Sequence, residues 1–263
     1  MQNQKKRLGI IGCGYLGNIL MDAWKEGLLP DYEIAGVLGR SREKASAMAA
    51  KAGCPVCKTI GDLLGLAPDY VAEMASIQAV KEIAEPVLSH GANLIVLSIG
   101  AFADEEFYKR IRQIAQEHKT KVHIASGAIG GFDVLRTISL MGQVKTTMVT
   151  HKGPKSLKNT PVFQENLMHD TAEREVFCGS ANEAIKLLPT KVNVSIAASL
   201  ATAGTENTKF HIVSVPEMTG DDHKITAEID GVKAVVDVYS STSAIAGWSV
   251  VALLKNLASP IMF

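Results

Sequence analysis

Three glycines near the start of the chain have the spacing of a phosphate-binding turn. Gly12, Gly14 and Gly17 stand in the run G-C-G-Y-L-G, which follows a short apolar segment. In such a turn the first glycine permits a tight bend, the second lets the backbone approach a pyrophosphate, and the third lets a helix pack closely on a strand. Backbone amides at the start of the helix then face the phosphates. We expect a dinucleotide to bind at Gly12, Gly14, Tyr15, Leu16 and Gly17, the alternative being a glycine turn without a ligand.

The residues after the second predicted strand indicate which dinucleotide binds. An NAD site usually ends this strand with Asp or Glu, which holds the ribose 2′-hydroxyl. Here the chain reads L-G-R-S-R from Leu38 and has no carboxylate before Glu43. Two guanidinium groups and a hydroxyl, from Arg40, Ser41 and Arg42, could instead hold a 2′-phosphate by charge-assisted hydrogen bonds. We therefore expect NADP to be favoured over NAD, the alternative being a solvated helix start.

The cysteines include one C-x-x-C pair, Cys54 and Cys57, which is typical of a redox centre or half of a zinc site. A structural zinc site needs four ligands, and the remaining cysteines, Cys13 and Cys178, lie far away along the chain. We interpret the pair as loop residues before a strand, with a reversible disulfide as the alternative. No group of His, Cys, Asp and Glu has metal-ligand spacing, so no metal is predicted.

The elements around these residues alternate between apolar strands and helices up to about residue 125, which predicts a Rossmann-type, doubly wound parallel sheet. After that point helical stretches precede three closely spaced strands, and the Asp230-Gly231 pair predicts a tight hairpin between the last two. We expect an α/β protein with a dinucleotide-binding domain over 1–125 and a substrate and catalytic α+β domain, with a mainly antiparallel sheet, over 126–240. The terminal helix, within 241–263, is expected to pack back on the first domain.

Composition excludes several classes of partner. Lys+Arg 27 balances Asp+Glu 27, and aromatic residues are only 5% of the 263, so neither the cationic surplus nor the stacking platforms of a nucleic-acid binder are present. The apolar stretch from Ala244 to Leu254 is too short to span a bilayer, and residues 1–7 are polar, unlike a secretory signal. Four cysteines are too few for a disulfide scaffold. We expect a cytoplasmic protein with reduced thiols and no membrane partner.

Motifs in the second half of the chain resemble those of the L-aspartate dehydrogenase family. The resemblance extends over nearly the whole chain, and its motif runs begin at Ser126 (S-G-A-I-G-G-F-D), Thr150 (T-H-K-G-P), Phe177 (F-C-G-S-A), Pro189 (P-T-K-V-N) and Ser241 (S-T-S). It implies NAD(P)-dependent interconversion of L-aspartate with iminoaspartate, or oxaloacetate plus ammonia, in amino-acid metabolism and NAD biosynthesis.

The resemblance also implies roles for individual residues. A catalytic histidine matches His223, and nucleotide contacts match Ala128 and Asn193. The chain departs from the family at Lys191, where the family usually has asparagine, and in the acidic residues just before the histidine. These departures concern the substrate rather than the fold or the cofactor.

A histidine suits the proton transfers that this reaction needs. Reduction of an imine needs a proton donor and acceptor that works near neutral pH, which is the range of imidazole. Asp221 and Asp222 directly precede His223. We expect these acids to raise the pKa of His223 and to orient its ring.

Three further residues are candidates for holding the carboxylates of a dicarboxylic amino or keto acid, namely Lys152, Thr242 and Ser243. The plain alternatives are a surface lysine and a helix cap. Two other functions stay open: another two-domain NADP-dependent imine or aldehyde reductase, and an NADP-sensing module without catalysis. The Ala-rich helix and the antiparallel strands suggest a homodimer.

Overall fold

A computed structural model describes residues 4–188 and 192–263 of the protein. The chain divides into two units. The first unit comprises Met1–Gly127 together with Ala244–Phe263, and the second comprises Ala128–Ser243. The family departure at Lys191 lies outside the described residues. Among the described residues, none of the helices combines the length and the hydrophobicity of a membrane-spanning segment.

The first unit is a doubly wound parallel sheet. Its strands run in the order β3-β2-β1-β4-β5-β6, and every neighbouring pair is parallel. The fold class predicted from strand and helix alternation is confirmed. The elements are β1 (Lys6–Ile11), α1 (Tyr15–Lys25), β2 (Tyr32–Leu38), α2 (Arg42–Ala52), β3 (Val56–Cys57), α3 (Ile60–Leu64), β4 (Tyr70–Glu73), α4 (Ile77–Ser89), β5 (Asn93–Val96), a 3-10 helix (Ile99–Ala103), α5 (Glu105–Glu117) and β6 (Val122–Ile124).

The second unit contains a five-stranded sheet in the order β11-β10-β7-β9-β8, antiparallel except for the β7–β9 pair. The expected mainly antiparallel sheet is confirmed. Its elements are α6 (Phe132–Met141), β7 (Lys145–Lys152), α7 (Pro154–Leu157), a 3-10 helix (Glu165–His169), β8 (Arg174–Ser180), α8 (Ala181–Leu187), α9 (Asn193–Ala201), β9 (Thr208–Ser214), β10 (Asp221–Ile229) and β11 (Val232–Ser240).

The two last strands form the predicted hairpin. Ile229 pairs with Val232 across the Asp230-Gly231 turn, and Gly231 has a φ of +76°. A side chain disfavours that conformation, so glycine suits this position.

Two strands of the second sheet were not predicted, β7 and β8. On β7 the buried face carries Thr146, Thr150 and Lys152, so the alternation of burial is not an alternation of hydrophobicity. On β8 the pairing register shifts between Glu175 and Phe177, and this irregularity breaks the two-residue period.

The terminal helix, α10 (Ala244–Ala258), packs within the first unit. Val250, Val251 and Leu254 are part of its buried core. The hydroxyl of Tyr32 donates to the carbonyl of Leu254 at 2.8 Å. A Cβ on Gly247 would lie 2.9 Å from Ile19 Cδ1, so glycine lets α10 and α1 approach closely.

Candidate dinucleotide and catalytic sites

The glycine turn between β1 and α1 has two crowded positions and one open position. Gly12 has a φ of +106°, and a Cβ there would lie 2.4 Å from the carbonyl oxygen of Met74. A Cβ on Gly17 would lie 1.9 Å from the carbonyl oxygen of Gly12. Around Gly14, by contrast, a Cβ would meet no atom within 4 Å. The turn therefore leaves space for a ligand beside Gly14, at the amino end of α1.

A cavity of about 270 Å³ opens at this turn. Its lining residues come from the turn, from α1 and from α2: Cys13, Gly14, Tyr15, Asn18, Lys44 and Ala47. Tyr15 is exposed and Leu16 is half-buried. Lys44 is a cation that sequence reasoning missed, although it stands only two positions after Arg42 and so extends the same basic run.

The basic run after β2 lies at the start of α2. Arg40, Ser41 and Arg42 are all exposed. Ser41 is the helix cap, since its Oγ accepts a hydrogen bond from the amide of Lys44 at 3.3 Å, as its type and position predict. The hydroxyl is the acceptor in this bond, so its own hydrogen can donate to a phosphate oxygen.

A buried carboxylate, Glu73, joins two loops at the carboxyl edge of the parallel sheet. Glu73 ends β4, is 0% exposed, and accepts from the amides of Ala75 at 2.7 Å and Ser76 at 2.9 Å. It also accepts from the amide of Ser98 at 3.0 Å and from the Ser98 hydroxyl at 2.8 Å. Burial raises the pKa of Glu73, and these hydrogen bonds oppose that effect. Sequence reasoning missed this residue, whose partners follow both β4 and β5.

In the second unit, the predicted catalytic histidine lies on the covered face of the sheet. His223 is 3% exposed on β10 and stands opposite Thr150 on β7. Thr150 Oγ1 and His223 Nδ1 are 3.0 Å apart, so they share a hydrogen bond whose direction depends on the tautomer. This bond leaves Nε2 as the nitrogen that can meet a substrate.

Lys152 lies on the same face as His223. It is a buried residue of β7, and its Nζ is 2.6 Å from a carboxylate oxygen of Asp221, its register partner on β10. A buried ammonium group needs such a partner, because an isolated charge would be strongly destabilised there. The plain alternative, a surface lysine, is therefore wrong.

The pKa of His223 is lowered to about 4, chiefly by burial and further by the positive charge of Lys152, while Asp221 opposes the change. Asp221 acts in the expected direction but is outweighed, so the expectation that the neighbouring acids raise the pKa of His223 overall was wrong. Asp221 forms an ion pair with Lys152, and Asp222 points to the other face of the sheet, where its carboxylate is 3.1 Å from Nδ1 of His151. Near neutral pH the imidazole of His223 is uncharged.

The remaining predicted site residues also lie in the second unit. Ala128 is half-buried in the turn before α6, and Asn193 is half-buried as the first residue of α9. Thr242 and Ser243 are exposed and follow β11. This segment passes the start of β10, since a Cβ on Gly220 would lie 2.6 Å from the Cα of Ser241.

The C-x-x-C pair lies in the first unit. Cys54 is in the loop after α2, as expected, whereas Cys57 is part of the short strand β3 rather than of the loop before it. Both thiols are free. Burial raises the pKa of each, which disfavours the reactive thiolate.

Comparison with known proteins gives the same picture for both units. Residues 133–257 match the family described as "Aspartate dehydrogenase, C-terminal", and residues 12–125 match "Homoserine dehydrogenase, NAD binding domain". The chain is 31% identical to an L-aspartate dehydrogenase of Methanocaldococcus jannaschii, over 97% of this chain and 98% of that protein. It is 32% identical to one of Methanosarcina barkeri over the same shares. The crystal structure of an aspartate dehydrogenase from Thermotoga maritima has a TM-score of 0.79 at 29% identity, and the match covers 99% of this chain and 100% of that one.

Proposed function

The chain belongs to the L-aspartate dehydrogenase family and is an NAD(P)-dependent amino-acid dehydrogenase, and we propose that its substrate is L-aspartate. Oxidation removes a hydride from Cα and a proton from the amino group, which forms iminoaspartate, NAD(P)H and a proton. Water then adds to the imine and ammonia leaves, which yields oxaloacetate. The reverse reaction consumes oxaloacetate, ammonia and NAD(P)H.

The residues around the glycine turn fit a dinucleotide, whose nicotinamide supplies the hydride acceptor or donor when it is bound. The open space beside Gly14 and the first amides of α1, at Tyr15 and Leu16, suit a pyrophosphate. Gly12 and Gly17 shape the turn. We also propose that Ala128 and Asn193 contact the dinucleotide.

We propose NADP as the favoured dinucleotide, with NAD as the alternative. Three cationic groups and a hydroxyl lie around the start of α2, from Arg40, Arg42, Lys44 and Ser41. Lys44 also lines the cavity at the glycine turn. Guanidinium and ammonium groups stabilise the two charges of a 2′-phosphate, whereas a 2′-hydroxyl would gain little from them.

The observation that carries the aspartate proposal is a buried uncharged imidazole beside a buried ammonium group, His223 and Lys152. Lys152 binds one carboxylate of the substrate. Thr242 and Ser243 donate hydrogen bonds to the other carboxylate. The negative charge of the bound substrate raises the pKa of His223. Its Nε2 then acts as a general base and acid, which accepts a proton released by the amine or by the attacking water and later returns it.

We also propose a cytoplasmic homodimer. Helices α6, α8 and α9 cover one face of the second sheet, while the other face keeps Val235 at 50% and Tyr239 at 59% exposed on β11. Analytical ultracentrifugation should give twice the chain mass for the wild-type protein. The Val235→Asp variant should sediment at the mass of a single chain.

The experiment that tests the function is oxidation of NADPH and NADH by the purified protein in the presence of oxaloacetate and ammonium. Wild type should turn over, and His223→Ala should lose at least about a hundredfold in kcat, since general acid–base groups contribute that much. His151→Ala is the matched control, because His151 lies on the opposite face of β7. Absence of turnover with both cofactors would reject aspartate as the substrate, and full activity of His223→Ala would reject only the role of the histidine.

A further inference from the structure

A second group of chemically reactive side chains lies on the two strands at the far edge of the second sheet. Glu175 and Cys178 belong to β8, and His211 belongs to β9. One ligand atom from each residue lies within 4.8 Å of the other two, and Glu175 Oε1 is 2.5 Å from His211 Nδ1. No other group of three such residues occurs within 4–188 and 192–263.

The irregularity in β8 is what brings the three side chains to one face. Residues three apart on a regular strand point to opposite faces, so Glu175 and Cys178 would be separated by the sheet. The register shift places Glu175 opposite Val213 and Cys178 opposite His211. Since positions 211 and 213 share a face of β9, all three side chains project from the same face.

That face is the less covered one. On β9 the residues at 208, 210, 212 and 214 are buried, whereas His211 is half-buried. Cys178 and Glu175 are exposed on β8, which is an edge strand. A small ion in water can therefore reach the group without opening the core.

We propose that Glu175, Cys178 and His211 bind a zinc ion. Thiolate, imidazole and carboxylate together are the donor set of zinc rather than of magnesium or calcium, which prefer oxygen ligands. Three protein ligands leave the fourth tetrahedral position to water. Ligand atoms around zinc lie about 3.2–3.7 Å apart, so the side chains need to move by only about 1 Å.

A zinc ion at this place would connect the edge strand β8 to β9 through side chains, in addition to the backbone hydrogen bonds between the two strands. Spacing along the chain does not predict the site, because Glu175 and His211 are 36 positions apart. The competing interpretation is an ordinary ion pair between these two residues with a cysteine beside it.

The test is calorimetric titration of the chelator-treated full chain with zinc chloride. Wild type should bind one ion, and both Cys178→Ser and His211→Ala should bind it at least about tenfold more weakly. Cobalt(II) should give a thiolate-to-metal charge-transfer band that Cys178→Ser lacks. Circular dichroism checks that each variant is folded, and neither measurement depends on dehydrogenase activity.

Cys54→Ser is the matched control, because Cys54 is a free cysteine of the first unit. It should bind zinc and show the cobalt band as wild type does. Equal affinity of wild type and Cys178→Ser, or loss of the band in Cys54→Ser instead, would overturn the proposal.

Discussion

Lys152 and His223 lie on the same covered face of adjacent strands, and the ammonium group of Lys152 lowers the pKa of the His223 imidazole. Asp221 is the register partner of Lys152 and opposes this effect. Burial has the largest effect on the protonation of His223, and one cation and one anion within the sheet adjust it further. A bound carboxylate changes the balance between these two charges.

The low pKa of His223 makes folding stability depend on pH. The unfolded chain binds a proton with the ordinary pKa of 6.5, and the folded protein with a pKa of about 4. Between these values the unfolded state holds more protons, so stability present above pH 6.5 is lost as the pH falls. Urea denaturation should show a loss of about 2 kcal/mol from this group between about pH 7 and pH 5.

His223→Gln should lack this part of the pH dependence, whereas His118→Gln, at an exposed position after α5, should keep it. Parallel stability curves for wild type and His223→Gln would contradict the assigned pKa.

Removal of the cation should raise the pKa of His223. Lys152→Met leaves Asp221 as the charged neighbour, so NMR titration of the His223 ring should move to higher pH. The KM for oxaloacetate should rise at least about tenfold, since a carboxylate contact is lost. Lys224→Met is the control, because Lys224 pairs with Asp237 on the exposed face at 3.3 Å. An unshifted titration in Lys152→Met would show that the lysine does not act on the imidazole.

Cofactor choice should depend on the basic run at α2. Arg40→Ala, Arg42→Ala and Lys44→Ala should each weaken NADPH binding by about tenfold or more and NADH binding much less, because charge-assisted bonds to the phosphate are lost. Fluorescence titration with each dinucleotide measures both constants. Arg112→Ala, at an exposed position of α5, should change neither. Equal losses of affinity for NADPH and NADH would show that these residues do not bind the 2′-phosphate.

Glu73 should be needed for the shape of the sheet edge. Glu73→Gln places an amide donor among backbone N–H donors, so the free energy of unfolding should fall by about 2 kcal/mol. The Kd for the dinucleotide should rise as well, because the next residue, Met74, contacts the turn at Gly12. Glu82→Gln, exposed on α4, is the control. Wild-type stability and affinity in Glu73→Gln would exclude this role.

The parts of the site that depend on local geometry are predictable from the sequence. The Ser41 cap and the close approach of Gly17 to Gly12 follow from residue type and spacing alone, since each involves atoms within a few positions. The buried polar face of β7 and the bulge of β8 depend on pairing with distant strands, so neither strand shows a regular hydrophobic pattern.

The electrostatics of the site are not predictable from sequence neighbours. Asp221 and Asp222 are adjacent to His223 in sequence, yet their carboxylates contact Lys152 and His151 instead. The burial that dominates the pKa of His223 comes from the tertiary fold. The same holds for Glu73, whose partners follow two different strands.

The return of α10 to the first unit has a consequence for biosynthesis. The ribosome releases the segments of the parallel sheet first, but Val250 and Leu254, which belong to the same buried core as Leu20, emerge only after the entire second unit. The second unit has all its strands in one continuous stretch and can complete its sheet earlier. The half of the protein that is translated first is therefore the half that closes last, and a nascent chain that stops before Ala244 leaves that half with an open core.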